Sequence, residues 1–382
     1  MKDAVIVDAV RTPFGKRDGS FRDTHPQDLA AEPLTALRER NGFEPETIED
    51  VIYGCVSPVD EQGLNIARLA PMVAGWGDVV PGVQLNRMCG SGQQATNFAA
   101  ANIMADQHDV LIAGGVEHMT RVPMGSDGDG VTDTYFEHFD ELTTQGEGAE
   151  RIAEEYDLSR EAVDEIAVDS QRRWGEAWEE GRYDDQVVPV ETELDGEEIV
   201  VDKDEHPRPN TDLETLSNLP LSFREEGDGV HHPGNASGIV DGSSALLLAS
   251  QEAAEEHGWE PMARVVQTEV VGVDPLTMLK GPIPATEQVL EKADMDIGDI
   301  DLFEVNEAFA SVVGAWLEET GASWEDTNVN GGAIAHGHPL GATGAMLLTK
   351  LAHELERTGQ DTALSTMCIG FGQGVATILE RV

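Results

Sequence analysis

Short apolar runs alternate along the chain with longer segments in which apolar residues recur every three or four positions. The runs are typical of strands and the longer segments of amphipathic helices, so the pattern predicts an α/β protein. Helices are predicted over 28–40, before Asn41-Gly42, and from Cys89 to about Ala105. The strands predicted in this region are Ala4-Val-Ile-Val, Val51-Ile-Tyr-Gly-Cys-Val, Gly82-Val-Gln-Leu-Asn and Asp109-Val-Leu-Ile-Ala-Gly-Gly. The strands that begin at Val51 and Gly82 are expected to be buried.

The same order of patterns recurs about 250 residues later, which indicates an internal duplication. The repeated segments are Asp301-Leu-Phe-Glu-Val-Asn, then Thr327-Asn-Val-Asn-Gly-Gly leading into a helix over 341–356, then Thr362-Ala-Leu-Ser-Thr-Met-Cys. We therefore expect two similar α/β halves packed about a pseudo-twofold axis. Cys89 and His338 then occupy comparable places, each just ahead of an equivalent helix.

A stretch of different character separates the two halves. It is polar and rich in acidic residues, glycine and proline, and it predicts a long helix over 160–180. After it, residues 242–258 predict a helix that returns to the first half. The expected domains are an N-terminal half of 1–119 plus 240–260, a loop domain of 120–239, and a C-terminal half of 261–382.

Charge changes the list of expected partners. Lys and Arg total 24 against 73 Asp and Glu, a net charge of −49, and the acidic residues are dispersed along the chain. Such a surface repels nucleic acid and anionic membranes, so neither is expected as a partner. Dispersed acid in a chain with periodic apolar runs favours a folded protein adapted to concentrated salt, as in halophiles, over one with a specific cationic partner.

The three cysteines do not form a disulfide framework in a chain this long. Neither a secretion signal nor an apolar stretch of membrane-spanning length stands out, so a cytoplasmic protein is predicted. Cys55 lies in an apolar run and is predicted to be a core residue.

Cys89 is the first candidate for chemistry. Asn86-Arg87-Met88-Cys89-Gly90-Ser91-Gly92 places it at a strand-to-helix turn, where free N–H groups favour a thiolate and lower the thiol pKa. A nucleophilic cysteine and a buried structural one both remain open on this segment alone. Gly90-x-Gly92-x-x-Ala95 also fits a dinucleotide fingerprint with Asp109 as ribose ligand, but residues 86–89 separate the strand from the first glycine.

Three further segments carry reactive side chains. His338, held by Pro339, opens a helix and could serve as a base or as a donor to an oxyanion. Two alternatives remain: a histidine buried in the core, or a metal site that His338 shares with His336, His231 and His232. Cys368 ends a strand beside glycine-rich backbone and suits a proton donor. Asn306, in Asn306-Glu-Ala-Phe, ends another strand with a carboxamide that could position a water.

Together these segments resemble the thiolase family. The resemblance covers Cys-Gly-Ser-Gly at Cys89, Asn-Glu-Ala-Phe at Asn306, Gly-His-Pro-Leu-Gly-Ala-Thr-Gly at His338 and Cys-Ile-Gly-x-Gly at Cys368. Two more blocks extend it: Val10-Arg-Thr-Pro-Phe-Gly and Gly234-Asn-Ala-Ser-Gly-Ile-x-Asp-Gly. It implies the thiolase fold, two βαβαβαββ halves in five αβαβα layers with an inserted loop domain, 120–239, for coenzyme binding and oligomer contacts. It also implies coenzyme A as a substrate, no permanently bound cofactor, and a homodimer or a homotetramer built as a dimer of dimers.

The resemblance implies an acyltransferase that works through acyl-Cys89, as in fatty-acid β-oxidation or the reverse Claisen condensation. His338 takes the proton of Cys89, and Cys368 protonates the departing acetyl-CoA carbanion. His338 with a water on Asn306 faces the thioester enolate, and the backbone N–H groups of Cys89 and Gly370 face the tetrahedral intermediate. The matching positions for coenzyme A are Ser237, Phe223, Met278 and Arg208.

The chain also departs from the family pattern. Gln145-Gly146 replaces the usual Met-Gly, Phe371 replaces a glycine, and His232-Pro233 replaces Thr-Ala. With Arg121-Val-Pro-Met124, Gln145 is more typical of thiolases for longer or bulkier acyl groups than of acetoacetyl-CoA enzymes. The rival functions are a condensing relative of the ketoacyl synthase kind, which the cysteine at 368 disfavours, and a catalytically silent lipid-binding or scaffold protein.

Overall fold

A computed structural model of the chain describes residues 2–128, 130–225 and 227–382. Its strands are β1 (Ala4–Arg11), β2 (Gly15–Lys16), β3 (Asp50–Gly54), β4 (Gly82–Leu85), β5 (Val110–His118), β6 (Val190–Leu194), β7 (Glu197–Val201), β8 (Val240–Ser250), β9 (Ala263–Gly272), β10 (Leu302–Val305), β11 (Thr362–Ile369) and β12 (Gln373–Arg381). Its α-helices are α1 (Pro26–Asn41), α2 (Ile66–Val73), α3 (Ser91–Met104), α4 (Gln145–Glu155), α5 (Arg160–Glu179), α6 (Leu213–Ser217), α7 (Gln251–His257), α8 (Pro282–Ala293), α9 (Ala310–Thr320), α10 (Ala333–His336) and α11 (Leu340–Thr358).

The large sheet has the same strand order in both halves of the chain. Nine strands follow the order β10-β11-β12-β9-β1-β8-β5-β3-β4, and β2 lies beside β8. In the first half β4, β3 and β5 are parallel, and β8 and β1 follow antiparallel. In the second half β10 and β11 are parallel, β12 and β9 follow antiparallel, and a parallel bridge from Phe303 to Thr327 corresponds to the β3–β4 pairing. This repeated topology confirms the predicted two-half fold.

The two half-sheets enclose a central layer of helices. They join where β1 pairs with β9 through Val5 and Ile6, and both pack on α3 and α11. Close contact between these helices depends on glycine: a Cβ on Gly92 would lie 2.8 Å from backbone atoms of α11. Helices α1 and α2 cover the outer face of the first half and α8 with α9 that of the second, which gives the five αβαβα layers.

Two predictions about secondary structure are wrong in part. Residues 242–250 form β8 and not a helix, which begins only at Gln251. Every residue of β8 is buried between β1 and β5, and this tertiary pairing overrides the helix propensity of its alanine and leucine run. Strand β4 was expected to be buried, but it is the last strand of the sheet and is partly exposed.

Residues between β5 and β8 pack on both halves of the fold. They contain α4, α5, α6 and the hairpin of β6 with β7, and α4 and α5 pack against α9. The buried ion pair of Arg11 with Asp204 ties this region to β1, with 2.6 Å between Nη1 and Oδ1. Across the described ranges, the helices are too short or too polar to cross a membrane.

Candidate active site

Cys89 lies in the turn between β4 and α3, and hydrogen bonds from both sides fix that turn. Asn86 donates from Nδ2 to the carbonyl of Val56 at 2.9 Å and accepts the backbone N–H of Met88 at 2.8 Å. Met88 has a φ of 46°, a left-handed conformation that turns the chain sharply into the helix. The turn therefore holds the thiol of Cys89, which is 3% exposed, in one place.

Three N–H groups favour the thiolate form of Cys89. They are its own backbone N–H, that of Gly370, and the side-chain amide of Gln145, whose Nε2 lies 3.8 Å from Sγ. Burial nevertheless outweighs them and raises the pKa of the thiol. The net shift is therefore opposite to the one expected from the start of the helix, since desolvation outweighs the lowering effect of the N–H groups.

His338 and Asn306 lie beside each other in the second half of the chain. Asn306 follows β10, and its backbone N–H donates to the carbonyl of Thr366 on β11 at 3.0 Å. Its Nδ2 lies 3.3 Å from Nε2 of His338, while its Oδ1 is buried without a hydrogen-bond partner in the described part of the chain. An unpartnered buried acceptor fits the predicted role of Asn306 in holding a water.

Thr343 fixes the tautomer of His338, a role that the sequence analysis missed. The Thr343 hydroxyl donates its single proton to the carbonyl of Pro339 at 2.8 Å. It must therefore accept from Nδ1 of His338, 2.6 Å away, which leaves Nε2 as the unprotonated nitrogen. Burial also lowers the pKa of His338 to about 3, so the imidazole is neutral and can accept a proton.

Cys368 approaches Cys89 from β11. It is fully buried, and burial together with the charge of Cys89 raises the pKa of its thiol. The two segments are tied together by Arg87, whose Nη1 donates to Oε1 of Gln373 at 3.0 Å, and by packing of Gly90 against Ile369. Both cysteines therefore converge on the turn that contains Gly370.

A cavity of about 590 Å³ is lined by Cys89. Gly370 and Gln145 line it as well, whereas His338, Asn306 and Cys368 are not among its lining residues. The remaining lining residues are mostly apolar or glycine: Val56, Met88, Met124, Gly125, Asp127, Gly128, Gly130, Val131, Leu142, Thr143, Thr144, Met278, Leu340 and Phe371.

Three of the four positions expected to bind coenzyme A lie around Ala308 and Phe309, in the apolar cluster that contains Cys368. The ring of Phe223 lies edge-on to that of Phe309 with 5.7 Å between centroids, and Met278 packs in the same apolar cluster as Cys368. The backbone N–H of Ser237 donates to the carbonyl of Ala308 at 2.9 Å. Arg208, by contrast, is an exposed residue of the loop region, and its backbone N–H donates to Gln171.

Glu117 joins the two halves at the site, and nothing in the sequence motifs singled it out. Its buried carboxylate accepts backbone N–H groups of Val56 at 2.8 Å and Ser57 at 3.1 Å in the first half. It also accepts the N–H of Gly341 at 2.9 Å in the first turn of α11. Glu117 thereby fixes the start of the helix that follows His338.

The histidines considered for a metal site have other partners. His231 bonds to Ser311 and Asn235, His232 lies 2.8 Å from Asp164, and Nδ1 of His336 lies 2.8 Å from the carbonyl of Gly337. Among residues 2–128, 130–225 and 227–382, no group of three or more His, Cys, Asp or Glu side chains could hold a metal ion. The glycines of the dinucleotide pattern are used instead for packing α3 on α11 and on β11.

Comparison with known proteins agrees with this two-half fold carrying two cysteines and a histidine. Residues 4–252 match the model of the thiolase N-terminal domain, and residues 259–381 match that of the thiolase C-terminal domain. The chain belongs to the thiolase family, whose members are acyltransferases that use coenzyme A as a substrate.

Similar proteins match over the whole chain. A steroid 3-ketoacyl-CoA thiolase of Mycobacterium tuberculosis is 43% identical, with 100% of this chain and 95% of that protein covered. A 3-oxoadipyl-CoA/3-oxo-5,6-dehydrosuberyl-CoA thiolase of Escherichia coli is 43% identical with both chains fully covered. The crystal structure of the Bacillus anthracis acetyl-CoA acetyltransferase superposes with a TM-score of 0.92 at 39% identity, covering 100% of this chain and 99% of that one.

Proposed function

We propose that this thiolase cleaves 3-oxoacyl-CoA with coenzyme A through an acyl-Cys89 intermediate. In the first step Nε2 of His338 takes the thiol proton, and the sulfur bonds to the 3-keto carbon. The bond between C2 and C3 then breaks, its electron pair moves to C2, and the thiol of Cys368 protonates C2 to release acetyl-CoA. The neutral imidazole with an unprotonated Nε2 supports the assignment of His338 as the base.

In the second step coenzyme A accepts the acyl group. The Cys368 thiolate takes the proton of the incoming thiol, whose sulfur attacks the acyl carbon. Cys89 leaves as a thiolate and recovers its proton from His338, so both cysteines and the histidine return to their starting forms. The observation that carries the proposal is that Cys89 and Gly370 line one cavity and that their backbone N–H groups favour a negative charge on the Cys89 sulfur, as donors to a tetrahedral oxyanion must.

The substrate class in this proposal is a 3-oxoacyl-CoA with an uncharged acyl group larger than acetyl. The cavity of about 590 Å³ beside Cys89 supports the size, and its apolar lining supports the lack of charge. Among the described residues that line the cavity, Asp127 and Cys89 have ionisable side chains. The negative charge of Asp127 would repel a terminal carboxylate such as that of a 3-oxoadipyl group. Coenzyme A itself is proposed to pass Ser237, Phe223 and Met278, with Arg208 at the nucleotide end.

The proposal includes a homodimer or homotetramer. Strand β4 leaves one edge of the sheet unpaired, and Val83 on it is 46% exposed. Leu64, Met72 and Phe98 belong to the neighbouring segments and are also exposed, as expected of a face that another copy covers.

The rest of the proposal concerns setting and domain organisation. The dispersed negative charge supports adaptation to concentrated salt, and three free cysteines support a reducing compartment such as the cytoplasm. We keep the division into 1–119 with 240–260, 120–239 and 261–382 as the proposed domains.

The test is release of acetyl-CoA from a panel of 3-oxoacyl-CoA substrates and coenzyme A in high salt. The panel contains acetoacetyl-CoA, 3-oxodecanoyl-CoA and 3-oxoadipyl-CoA. Cleavage of the decanoyl compound with the highest kcat/KM supports the function and the substrate class. Preference for 3-oxoadipyl-CoA would leave the function standing but reject the substrate class, and no cleavage of any would favour the silent lipid-binding or scaffold alternative.

Substitution of Cys89 tests the nucleophile. Cys89→Ala should abolish turnover, because the acyl group then has no sulfur to bond to. The matched control is Cys55→Ala, since Cys55 is equally buried but packs in the apolar core of the first half. Turnover of more than a few per cent in the Cys89 variant would reject the mechanism.

A further inference from the structure

Gln145 brings a side-chain amide to the nucleophile. It is the first residue of α4, whose N-cap Thr144 accepts the backbone N–H of Glu147 at 3.3 Å, so the start of the helix fixes its backbone. From there Nε2 of Gln145 reaches 3.8 Å from Sγ of Cys89. Hydrogen bonds to sulfur are longer than those to oxygen, and at this distance the amide of Gln145 donates to Sγ.

The amide of Gln145 also lies over Gly370. A Cβ added to Gly370 would come within 3.3 Å of Nε2 of Gln145, so the amide nitrogen occupies the space above that residue. Gly370 and Cys89 line the same cavity as Gln145, and their backbone N–H groups also favour a negative charge on the sulfur. Three N–H donors are therefore gathered around the sulfur of Cys89. After acylation the carbonyl oxygen is only two bonds from that sulfur, so it lies close to the same three donors.

On the basis of the function proposed above, we propose that Gln145 is a catalytic residue: its Nε2 is a third donor to the oxyanion at acyl-Cys89. The oxyanion forms when Cys89 attacks the 3-keto carbon and again when coenzyme A attacks the acyl carbon. In both steps an N–H group already in position stabilises the negative charge without rearrangement, and this is the physical basis of catalysis by oxyanion donors.

Methionine isolates this role. It has about the length of glutamine and fills the same part of the cavity, but it carries no N–H group. Gln145→Met therefore removes the hydrogen bond while keeping the shape. The matched control is Gln267→Met, since Gln267 is also partly buried but lies on β9, where its side chain accepts the backbone N–H of Thr268 at 3.0 Å.

Two measurements test the assignment. In steady-state cleavage of 3-oxodecanoyl-CoA, Gln145→Met should lower kcat and kcat/KM together by about tenfold or more with KM little changed, as expected for an interaction made in the transition state. In the pH profile of Cys89 alkylation by iodoacetamide, the apparent thiol pKa should rise, because a donor that favours the thiolate is gone. Gln267→Met should leave both unchanged.

Other outcomes would overturn the assignment. A rise in KM alone would show that Gln145 recognises the acyl group and does not serve the oxyanion. Unchanged kinetics and an unchanged alkylation profile would show that its amide has no electronic effect on the site. If the unaltered protein cleaves none of the substrates, the proposed function fails. The alkylation measurement still tests the hydrogen bond, because alkylation of Cys89 needs no turnover. If Gln145→Met does not shift the pH profile of alkylation, the hydrogen bond from Gln145 to Cys89 is rejected as well.

Discussion

At the scale of single residues, the tautomer of His338 depends on one hydroxyl. Thr343→Val keeps the shape of the side chain but removes the acceptor for Nδ1, so the neutral imidazole is free to carry its proton on Nε2, where it cannot act as a base. We expect kcat to fall by about tenfold or more, by analogy with other sites where the tautomer is lost.

Thr349→Val is the control for that substitution. Thr349 is also buried in α11, and its hydroxyl donates to the carbonyl of Ala345 four residues earlier, as Thr343 does to Pro339. The Thr349→Val variant therefore loses the same kind of hydroxyl-to-carbonyl hydrogen bond as Thr343→Val, but it loses no hydrogen bond to a catalytic side chain. If both variants lose activity equally, the effect belongs to the helix, and the tautomer argument is wrong.

The neutral state of His338 also predicts the pH dependence of acylation. Its pKa is lowered from 6.5 to about 3, so the imidazole stays unprotonated as the pH falls from neutral to mildly acidic values. An unperturbed histidine would lose about nine-tenths of its neutral form one pH unit below a pKa of about 6.5. We expect kcat/KM for the 3-oxoacyl-CoA to show no such acid limb, with circular dichroism confirming that the protein stays folded. An apparent pKa near that of free histidine would contradict the burial seen here.

Residue types were predictable from motifs, whereas their environments were not. Cys89, His338 and Cys368 were predicted because each ends a strand or opens a helix in a glycine-rich segment, and Asn306 because it ends a strand with a carboxamide. The pKa of Cys89 was expected in the wrong direction, since the sequence shows the helix start but not the burial that opposes it. Thr343 was missed because a threonine within a helix is usually a packing residue, and only its distance to Nδ1 shows its role.

At the scale of elements, the contact between α3 and α11 sets the distance between the segments that contain Cys89 and His338. Gly344 of α11 leaves no room for a side chain, because an added Cβ would collide with the backbone of Gln93 on α3. Gly344→Ala should lower the free energy of unfolding by about 1–3 kcal/mol, the usual cost of overpacking, and should also reduce kcat. Denaturant titration and the cleavage assay measure the two effects.

Gly298→Ala is the matched control, since a Cβ on Gly298 meets no atom within 4 Å and its φ is not left-handed. Its stability should stay within about 0.5 kcal/mol of the unaltered protein, as is usual for surface substitutions. A Gly344 variant as stable and active as the Gly298 variant would mean that the helices move apart freely.

The elements also show where sequence patterns fail. Helices α1, α5 and α11 were predicted closely because each has an apolar stripe and a clear terminus, such as Gly42 with a φ of 65° after α1. Strand β8 was predicted to be helical because periodicity does not distinguish an apolar strand buried on both faces from a buried helix. Its true state depends on β1 and β5, which are remote in the sequence.

At the scale of the whole molecule, the duplication brings distant segments together. The halves join edge to edge at β1 and β9, so the central helices face each other and their preceding turns, with Cys89 and His338, lie at one end of the same layer. The repeat was visible in the order of the patterns. The register of this joint, and the hydrogen bonds that Glu117 makes to both halves, depend on contacts that no local pattern encodes.

The net charge of −49 predicts how the whole molecule responds to salt. Most carboxylates lie on the surface, so their mutual repulsion should weaken as the Debye length falls from about 10 Å at about 0.1 M salt to about 3 Å at about 1 M. Buried pairs such as Arg11 with Asp204 are screened much less and should change little. We therefore expect the midpoint of thermal unfolding to rise steeply with KCl over this range. Sucrose at matched osmolality is the control, because it stabilises compact states without screening charge; an unfolding midpoint that ignores KCl, or responds equally to both solutes, would reject adaptation to concentrated salt.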